Sequence, residues 1–387
     1  MTYEFIAPCH FGLEAVCKRE ILNLGLTVVK VEDGKVTFSG DESAFARANI
    51  FLRTPERILL KVGSFKATTF DELFEATKAL PWENFIPSDG RFWVTKANSV
   101  KSALFSPSDI QSIMKKAMVE RLKLKYGISW FDETGADYAV RVSIIKDEVT
   151  VGIDTSGDSL HKRGYRKLTS KAPITETLAA ALLMLTPWKA DRLLVDPFCG
   201  SGTFPIEAAL MGLNIAPGIN RNFSSEAFDF IPNKIWSNAR TEARDNERHD
   251  IKLQIQGYDI DEEIVNAARQ NARLAGVADQ IHFQARDVKE LSSPRKYGFI
   301  VCNPPYGERL EEKAAMPALY KAIGTAFSAL DTWSYYIITG YSDAEQHIGR
   351  KADKNRKIYN GMLKSYFLEF PGPKPPKRDS VSPDVSQ

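Results

Sequence analysis

The order of apolar and polar residues divides the first part of the chain into two kinds of segment. Short runs in which every second residue is apolar predict half-buried strands. Longer segments with an apolar residue every three or four positions predict amphipathic helices. The predicted strands are 3–7, 26–31, 35–38, 57–62, 92–97, 138–145 and 149–153, and the predicted helices are 13–24, 42–52, 71–80 and 109–125.

The first six elements have the order β-α-β-β-α-β, which predicts a ferredoxin-like domain over residues 1–64. Gly25 and the pair at 33–34 fall at the breaks that this order requires. A second α+β unit follows over residues 65–160, and residues 106–109 have the composition of a helix start. The pattern therefore predicts two α+β domains before residue 161.

The pattern changes after residue 173, where predicted strands alternate with predicted helices, as in a parallel sheet covered on both faces. Residues 214–250 interrupt this alternation as an insertion, within which 236–248 is predicted to be helical and solvated. The strands are 193–196, 253–259, 281–285, 299–303 and 335–339, and the helices are 174–185, 204–211, 262–274 and 317–330.

The end of the chain has a different pattern. Asn360 and Gly361 separate two apolar runs, 357–359 and 363–370, and this dipeptide predicts a type I′ hairpin. The fold class expected for 161–370 is therefore α/β, a doubly wound sheet that ends in an antiparallel pair. The proline-rich and polar residues 371–387 predict a disordered tail.

Composition narrows the class of protein. Of the 387 residues, 43% are hydrophobic and 26% are charged, which is typical of globular domains. No apolar run approaches the roughly 20 residues of a membrane span, and the N-terminus has no export signal, so a cytoplasmic location is expected. The four cysteines lack paired metal-ligand spacing, so no metal site is expected. Residues 161–175 contain five basic residues and no acidic one.

Residues 196–202, here called the glycine loop, follow an apolar strand and precede a helix, where open α/β sheets bind ligands. Pro205 replaces the third glycine of a dinucleotide fingerprint, which disfavours a pyrophosphate site. A tight strand-to-helix turn would explain a lone Gly-x-Gly equally well. Asp259, at the end of the next strand, can accept both ribose hydroxyls, whereas Asp261 is expected to cap a helix. Asp287 is placed to accept from an adenine amino group or to serve as a turn residue.

Residues 303–306, the Asn-Pro-Pro-Tyr loop, carry the most informative pattern. Two prolines after an apolar strand expose carbonyl oxygens and remove two backbone donors. The Asn303 amide and the Pro304 carbonyl can hold an exocyclic amino group of a nucleobase, and Tyr306 can stack on the base. A plain loop would explain the motif if it stood alone. Cys302 and Cys199 are interpreted as packing residues, which excludes a mechanism through a covalent cysteine adduct.

These motifs together resemble a known family. The chain looks like a class I S-adenosylmethionine-dependent methyltransferase of the amino-group type, and more closely like the bacterial THUMP-domain 23S rRNA guanine-N2 methyltransferases. It departs from the longest family members because it lacks a second methyltransferase domain, which predicts a single modification. The matching segments are residues 101–106, 156–166, 196–203, 214–218, 257–261 and 303–310.

The resemblance implies a methyltransferase domain over 161–370, a THUMP domain over 65–160 that presents RNA, and S-adenosylmethionine as cofactor. It implies catalysis by Asn303, Pro304, Pro305 and Tyr306, and cofactor binding by Asp196, Cys199, Gly200, Ser201, Gly202, Thr203, Asp259, Ile260 and Asp287. The basic residues expected at the RNA are Lys101, Lys115, Lys116, Lys162, Arg163, Arg166 and Lys167.

Three alternatives remain open at this stage. An adenine-N6 methyltransferase would use the same Asn-Pro-Pro-Tyr loop, and a tRNA guanine-N2 enzyme would use the same domains. A noncatalytic RNA-binding assembly factor would keep the RNA-binding half, but the intact glycine loop, Asp259 and Asn303 argue against it. The basic segments also fit solvated helix faces and a linker. The sequence predicts no oligomeric state.

Overall fold

The computed structural model describes residues 1–167, 174–307, 310–361 and 363–376, without the side chains of 310–312. The described residues form two compact units. The first contains Met1–Lys167, Thr175–Leu185 and Leu210–Ile251, and the second contains Thr186–Ala209 and the described residues from 252 onward. Within the described residues, no helix combines the length and the apolar composition needed to cross a bilayer.

The first unit is built on one seven-stranded sheet with helices packed against it. Two of its helices come from segments later in the chain than the sheet. The strands are β1 (Tyr3–Pro8), β2 (Thr27–Glu32), β3 (Lys35–Gly40), β4 (Leu59–Lys66), β5 (Arg91–Val100), β6 (Asp137–Ile145) and β7 (Glu148–Asp154). The helices are α1 (Glu14–Asn23), α2 (Ser43–Phe51), α3 (Phe70–Ala79), α4 (Pro107–Tyr126), α5 (Glu176–Leu185) and, after α6 of the second unit, α7 (Lys234–Asp245).

The strand order of this sheet is β2-β3-β1-β4-β7-β6-β5. Its first four strands have the antiparallel order of a ferredoxin-like domain, as predicted, with Phe5 opposite Phe38 in β1 and β3. Strand β4 also pairs with β7 from Leu59 opposite Asp154 to Lys66 opposite Glu148. The two predicted α+β domains therefore share one continuous sheet, which the sequence pattern did not indicate.

Helix ends in this unit follow from local sequence. Thr69 caps α3 by accepting a hydrogen bond from the Glu72 backbone N–H at 3.2 Å, and the Glu72 carboxylate accepts one from the Thr69 backbone N–H. Helix α4 starts with Pro107 directly after Ser106, which confirms the predicted start within two residues. It ends at Gly127, whose φ of +66° is the left-handed conformation of a C-terminal cap.

The insertion at 214–250 contains the predicted helix, but only one face of this helix is solvated as predicted. Trp236, Ala239 and Ala243 on α7 are buried in the hydrophobic core of the first unit. The ring of Trp236 stacks on Phe223 with centroids 5.4 Å apart. The spacing of three and four residues between these positions gives α7 one apolar face, and burial of that face holds the helix in place.

The second unit contains a parallel sheet that ends in an antiparallel pair, as predicted. Its strand order is β10-β9-β8-β11-β12-β14-β13, and only the pairs that include β14 are antiparallel. The strands are β8 (Leu194–Asp196), β9 (Ile255–Asp259), β10 (Ile281–Ala285), β11 (Phe299–Cys302), β12 (Ser334–Thr339), β13 (Lys354–Asn360) and β14 (Leu363–Phe370). The helices are α6 (Thr203–Gly212), whose last turn joins the first unit, α8 (Glu262–Leu274), α9 (Leu310–Ser328) and α10 (Ala344–Ile348).

Helix α9 begins seven residues before the predicted start at Pro317. Proline is favoured in a first helical turn, which is why the pattern predicts a start there. Pro317 instead lies inside the helix, although it cannot donate a backbone hydrogen bond there. The earlier turns pack on Gly307, because a Cβ at that glycine would lie 2.9 Å from Met316 Cγ and 3.1 Å from Lys313 Cα.

The hairpin is present, but the predicted type I′ turn at Asn360 and Gly361 is shifted by one residue. Asn360 belongs to β13 and pairs with Leu363, so the connection starts at Gly361, whose φ is +61°. The register of β13 and β14 therefore decides the turn position, rather than the dipeptide. The predicted disordered tail falls mainly on residues 377–387, which lie outside the described residues, as does Lys171 of the basic segment.

A carboxylate with two histidine partners links distant segments of the first unit. His10 Nε2 lies 3.0 Å from Glu56 Oε1, and His161 Nδ1 lies 3.1 Å from Glu56 Oε2. The Thr177 hydroxyl also donates to Glu56 Oε1. Burial opposes ionisation of Glu56, but these hydrogen bonds outweigh it and hold the pKa of the carboxyl far below its usual range.

We expect Glu56→Gln to lower the free energy of unfolding by about 1 to 3 kcal/mol at neutral pH, because buried donors lose a charged acceptor. A depressed carboxyl pKa adds stability above the unfolded value of about 4.3, and this contribution is lost as pH falls from that value through the much lower folded-state pKa. The deficit of the variant should therefore shrink on acidification below pH 4. Urea denaturation at pH 7 and pH 3 measures it.

The control is Glu32→Gln, because Glu32 forms its shorter ion pair, at 2.9 Å, with the exposed Lys30. Exposed ion pairs contribute about 1 kcal/mol or less, so this variant should differ little from wild type at either pH. A deficit of Glu56→Gln that stays the same at both pH values would contradict the assigned pKa direction.

Candidate active site

The residues of the second unit that were predicted to bind the cofactor or to act in catalysis lie at one edge of its sheet. Strands β10, β9, β8 and β11 are parallel neighbours, so their carboxyl ends lie together. Asp287, Asp259, Asp196 and Asn303 stand at these four ends or within two residues of them, in that order across the sheet. Open α/β sheets bind ligands at this edge. The structure therefore brings the glycine loop and the Asn-Pro-Pro-Tyr loop to neighbouring strands.

Backbone hydrogen bonds attach the glycine loop to strand β9. The Cys199 N–H donates to the Tyr258 carbonyl at 2.8 Å, and the Gly200 N–H donates to Asp259 Oδ2 at 3.0 Å. The Gly202 N–H closes the loop by donating to the Cys199 carbonyl at 2.8 Å. Asp259 Oδ1 accepts from the Asp261 N–H at 3.2 Å, so this carboxylate shapes the glycine loop with one oxygen and the turn after β9 with the other.

Two positions in the loop require glycine. Gly200 and Gly202 have φ values of +51° and +91°, which side chains rarely adopt. A Cβ at Gly202 would also lie 3.1 Å from Ala268 Cβ and 3.2 Å from the Phe283 ring. The loop backbone is therefore packed closely against helix α8 and strand β10.

Asn271 holds the glycine loop in place, and the sequence analysis did not predict this role. This fully buried residue of α8 donates from Nδ2 to the Ser201 carbonyl at 3.0 Å. An asparagine among the apolar positions of an amphipathic helix was the available signal, because a buried amide needs a partner. The Ser201 hydroxyl is itself buried and has no hydrogen-bond partner in the described part of the chain, which leaves a donor and acceptor for a ligand.

The carboxyl groups of Asp196 and Asp259 lie near each other beside the glycine loop. Asp196 is 1% exposed, and its Oδ1 accepts from the Phe198 N–H at 3.0 Å. Burial raises the pKa of Asp196 well above its usual range, and the nearby Asp259 carboxylate raises it further. Burial also raises the pKa of Asp259. Such a pair favours a ligand that offers hydroxyl or amino donors, because the donors would stabilise the ionised form.

The other predicted cofactor residues have visible local roles. Asp261 caps helix α8 by accepting from the Glu263 N–H at 2.9 Å, as predicted. Ile260 is 75% exposed beside it, which leaves an apolar side chain at the sheet edge. Asp287 accepts from the Lys289 N–H at 2.9 Å and starts a 3-10 helix, so the turn interpretation accounts for one of its oxygens.

The Asn-Pro-Pro-Tyr loop is fixed by two tyrosines. The Tyr306 hydroxyl donates to Asn303 Oδ1. The hydroxyl of the buried Tyr320 donates to the Pro305 carbonyl at 3.2 Å and lies 2.5 Å from Thr339 Oγ1. The sequence predicted acceptors at Asn303 and Pro304 for a substrate amine. Asn303 Oδ1 already accepts one hydrogen bond, and its second lone pair stays available for another.

Gly340 provides room for the ring of Tyr306 and was not predicted. A Cβ at this position would lie 3.1 Å from Tyr306 Cδ2, closer than ordinary packing allows. Tyr320 was also missed, because a tyrosine on an apolar helix face indicates only core packing until its partner is known. Both residues come from elements that follow the motif in sequence, α9 and the segment after β12.

The two cysteines near the active site, Cys199 and Cys302, have no exposed thiol. Cys199 and Cys302 are buried, and burial raises the pKa of each thiol well above its usual range. This agrees with the interpretation of both as packing residues. Among the described residues, no group of three or more His, Cys, Asp or Glu side chains is placed to hold a metal ion.

The basic residues predicted at the RNA all belong to the first unit, and several have partners within it. The Arg163 guanidinium is buried and donates to the carbonyls of Leu160 and Arg53, each at 2.6 Å. Arg166 forms an ion pair with Glu176 at 3.1 Å.

Lys115 also turns toward its own domain. Its ammonium lies 3.7 Å from the centre of the Phe92 ring and 3.7 Å from Glu133. Arg163, Arg166 and Lys115 therefore have structural roles that sequence reasoning did not foresee, and an RNA role for them remains a prediction. The predicted residues that are exposed are Lys101, Lys116, Lys162 and Lys167.

Three family models match successive parts of this chain. Residues 4–59 match the RlmL ferredoxin-like domain and residues 67–154 match the THUMP domain. Residues 163–368, more than half of the chain, match the model described as RMKL-like, methyltransferase domain. The chain belongs to the RMKL-like methyltransferase family. The predicted fold class is thus confirmed, whereas the domain boundaries stay predictions.

Relatives of this RMKL-like methyltransferase include proteins of equal and of double length. YpsC of Bacillus subtilis (strain 168), named as an RNA methyltransferase, is 50% identical over 95% of this chain and 96% of YpsC. The ribosomal RNA large subunit methyltransferase K/L of Cellvibrio japonicus (strain Ueda107) is 30% identical over 96% of this chain and 51% of that protein. The chain therefore spans about half the length of this K/L relative.

Solved structures share the whole fold of the RMKL-like methyltransferase. A crystal structure from Clostridium difficile 630, described as a methylase, has a TM-score of 0.94 and 51% identity, covering 98% of this chain and 100% of that one. SMU.472, described as a methyltransferase complexed with SAH, has a TM-score of 0.91 and 43% identity, covering 97% and 99%.

S-adenosylmethionine is therefore the methyl donor of this RMKL-like methyltransferase, as predicted. The residues at the sheet edge fit it. The glycine loop lets a ligand approach its backbone, and Asp259 offers a carboxylate for ribose hydroxyls. The buried Ser201 hydroxyl, without a partner in the described chain, offers one further hydrogen bond. Which of these groups contact the cofactor remains a prediction.

Proposed function

We propose that the protein methylates RNA at the exocyclic N2 of a guanosine, and that this RNA is 23S rRNA. The names of its relatives, an RNA methyltransferase and a large-subunit rRNA methyltransferase, support this substrate class. The match to a THUMP domain supports it as well. The observation that carries the proposal is the Asn303 amide, fixed by Tyr306 at a strand end next to the glycine loop.

The Asn-Pro-Pro-Tyr loop provides acceptors for an amino group rather than a base. Asn303 Oδ1 is held by the Tyr306 hydroxyl, and the loop backbone is held by Tyr320 through the Pro305 carbonyl. A fixed acceptor can orient the nitrogen of an exocyclic amine and stabilise positive charge as it develops there. An amide does not take up a proton at neutral pH, so we propose that the proton leaves to water.

S-adenosylmethionine supplies an electrophilic methyl group when it is bound. The protein contributes the position of the acceptor. A base within a stacked RNA cannot present its amino group to a protein pocket, so we propose that the guanosine is extruded and stacks beside Tyr306. Gly340 packs closely on this ring, because a Cβ there would lie 3.1 Å from Tyr306 Cδ2. Because the substrate would be ribosomal RNA, we propose a cytoplasmic location.

Methyl transfer from labelled cofactor to unmodified 23S rRNA, with separation of the product nucleosides, tests the proposal. N2-methylguanosine in 23S rRNA is expected. If N6-methyladenosine is the only product, the substrate base is adenine and not guanine. If tRNA is labelled but rRNA is not, the substrate RNA is tRNA. No label in either RNA would contradict the proposal altogether.

RNA binding should depend on exposed lysines near the basic junction. We expect replacement of Lys162 and Lys167 by alanine to lower the slope of log affinity against log salt by about 1.4, because each phosphate contact to single-stranded RNA contributes about 0.7. Lys162 is exposed, and its pairing with Asp158 at 2.9 Å is a surface contact. Filter binding across a salt series measures the slope.

The control variant is Lys30→Ala, because the Lys30 side chain is 65% exposed and is not predicted to touch RNA. Arg163 and Arg166 are left intact, since their loss would disturb the packing of the first unit. An unchanged slope in the double variant would show that the junction is only a solvated linker.

A further inference from the structure

The end of strand β12 and the turn after it contact the Asn-Pro-Pro-Tyr loop at two places. Strand β12 is the parallel neighbour of β11, so both strands end at the sheet edge that carries the active site. Thr339 is the last residue of β12, and its hydroxyl lies 2.5 Å from the Tyr320 hydroxyl. Tyr320 in turn donates to the Pro305 carbonyl at 3.2 Å. Gly340, the next residue, packs closely on the Tyr306 ring.

The protons on these hydroxyl groups point in one direction. A tyrosine hydroxyl and a threonine hydroxyl each have one proton to donate. The Tyr320 proton is used at the Pro305 carbonyl, so the Thr339 hydroxyl is the donor in the contact between the two hydroxyls. Thr339 Oγ1 also accepts from the Tyr341 backbone N–H at 3.0 Å. This directed series of hydrogen bonds, here called the Thr339 network, runs from the Tyr341 N–H to the Pro305 carbonyl.

The Thr339 network is shielded from water and fixed at its outer end. Thr339 is 1% exposed and Tyr320 is fully buried. Burial raises the pKa of the Tyr320 hydroxyl well above its usual range, so this hydroxyl keeps its proton at neutral pH. The ring of Tyr341 stacks on His347 of α10 with centroids 5.6 Å apart. Because a buried hydroxyl is costly to leave unpaired, each member of the network holds its neighbour in place.

We propose that Thr339 is a positioning residue for methyl transfer, and that it acts through Tyr320 on the Pro305 carbonyl. The Thr339 network directs this carbonyl toward α9. The acceptors that the loop then presents to the substrate amine are Asn303 Oδ1 and the Pro304 carbonyl. This inference rests on the proposed function, because it assigns a role toward the same amine. Reacting groups must be held close to one geometry for fast transfer, which is the contribution of the network.

The test measures the single-turnover rate constant of methyl transfer from labelled S-adenosylmethionine to saturating 23S rRNA. Thr339→Val keeps the branched shape of the side chain but removes its hydroxyl, and should lower the rate constant about tenfold, because a small displacement of the acceptors costs rate steeply. Tyr320→Phe should lower it by a similar factor. Thr339→Ser keeps the hydroxyl and should restore the wild-type rate constant. The dissociation constant of the cofactor should stay the same, because the network ends on the Asn-Pro-Pro-Tyr loop.

A double-mutant cycle tests whether Thr339 and Tyr320 act through one network. The variant with both Thr339→Val and Tyr320→Phe should lose no more rate than either single variant, because groups that share one series of bonds are not additive. The matched control is Thr325→Val on α9. Thr325 is exposed and donates only to the Lys321 carbonyl of its own helix, so this variant should keep the wild-type rate constant.

A role of Thr339 in folding alone predicts a different result. Unfolded enzyme lowers the amount of product formed in a single turnover but not the rate constant. A smaller amount of product at the wild-type rate constant in Thr339→Val would therefore overturn the proposal. Equal rate losses in Thr339→Ser and Thr339→Val, or losses that add in the double variant, would overturn it too.

Methylation by wild type separates this proposal from the proposed function. If wild type methylates 23S rRNA and Thr339→Val does so at the same rate constant, the proposed function stands and the role of Thr339 is wrong. If wild type methylates only tRNA, the proposed function is wrong, and the same rate constants measured on tRNA decide the role of Thr339. Methylation of neither RNA by wild type would contradict both proposals.

Discussion

Asn303→Ala is expected to lower the single-turnover rate of methyl transfer by about a hundredfold or more, while the affinity for S-adenosylmethionine stays the same. Removal of one positioned polar group that stabilises developing charge has effects of this size. The amide stands at the end of β11 and is held by Tyr306, whereas the glycine loop follows β8. Its loss should therefore affect the reacting amine and not the bound cofactor.

Two further variants separate the amide from its support. Asn303→Asp keeps an acceptor oxygen and should retain partial activity. Tyr306→Phe keeps an aromatic ring for stacking but removes the hydroxyl that donates to Asn303, so its loss should be smaller than that of Asn303→Ala. Rapid-quench assays with labelled cofactor and 23S rRNA give the rates. A single-turnover rate of Asn303→Ala near that of wild type would remove this residue from the mechanism.

Asp259→Ala should weaken S-adenosylmethionine binding by about 1.5 to 3 kcal/mol, or about 10- to 150-fold, because ribose hydroxyls lose a charged acceptor. The structure adds a second reason for the loss. Asp259 Oδ2 holds the Gly200 N–H, so the same substitution loosens the glycine loop. Isothermal titration calorimetry measures the dissociation constant.

Asp261→Ala is the matched control, because this neighbouring carboxylate caps α8 instead of facing the loop. It should cost about 1 kcal/mol of stability and leave the affinity unchanged. Because burial raises the pKa of Asp259, cofactor affinity should fall on acidification at a higher pH than an ordinary aspartate would give. A dissociation constant that is unchanged in Asp259→Ala would contradict the assignment.

Local sequence patterns were enough to predict most elements of the fold. Helix α8 and strand β10 have the bounds that the periodicity predicts, because a helix with one apolar face and a cap at Asp261 needs no distant partner to be recognised. The parallel sheet and its antiparallel end also followed from the order of elements. The chemistry-bearing loops could be placed at one edge because parallel strands end together.

The features that the sequence pattern did not predict depend on contacts between residues that are distant in sequence. The pairing of β4 with β7 is one case, and the shift of the hairpin turn past Asn360 is another, because register is set by the partner strand. The burial of Trp236 could not be predicted from its neighbours alone. Of the two residues that support the active site, Tyr320 looks like an ordinary helix residue until its partner is known, whereas the buried Asn271 gave a signal that the sequence analysis did not use.

The pairing of β4 with β7 limits how this protein can be shortened. A fragment that ends at residue 64 would keep most of β4 but would lose β7, so the backbone groups of β4 that face β7 would stand at an open edge. Open edges of this kind pair with other chains and lead to aggregation. The predicted ferredoxin-like domain is thus a poor choice for separate expression, and the smallest sensible fragment would have to retain the sheet through Asp154.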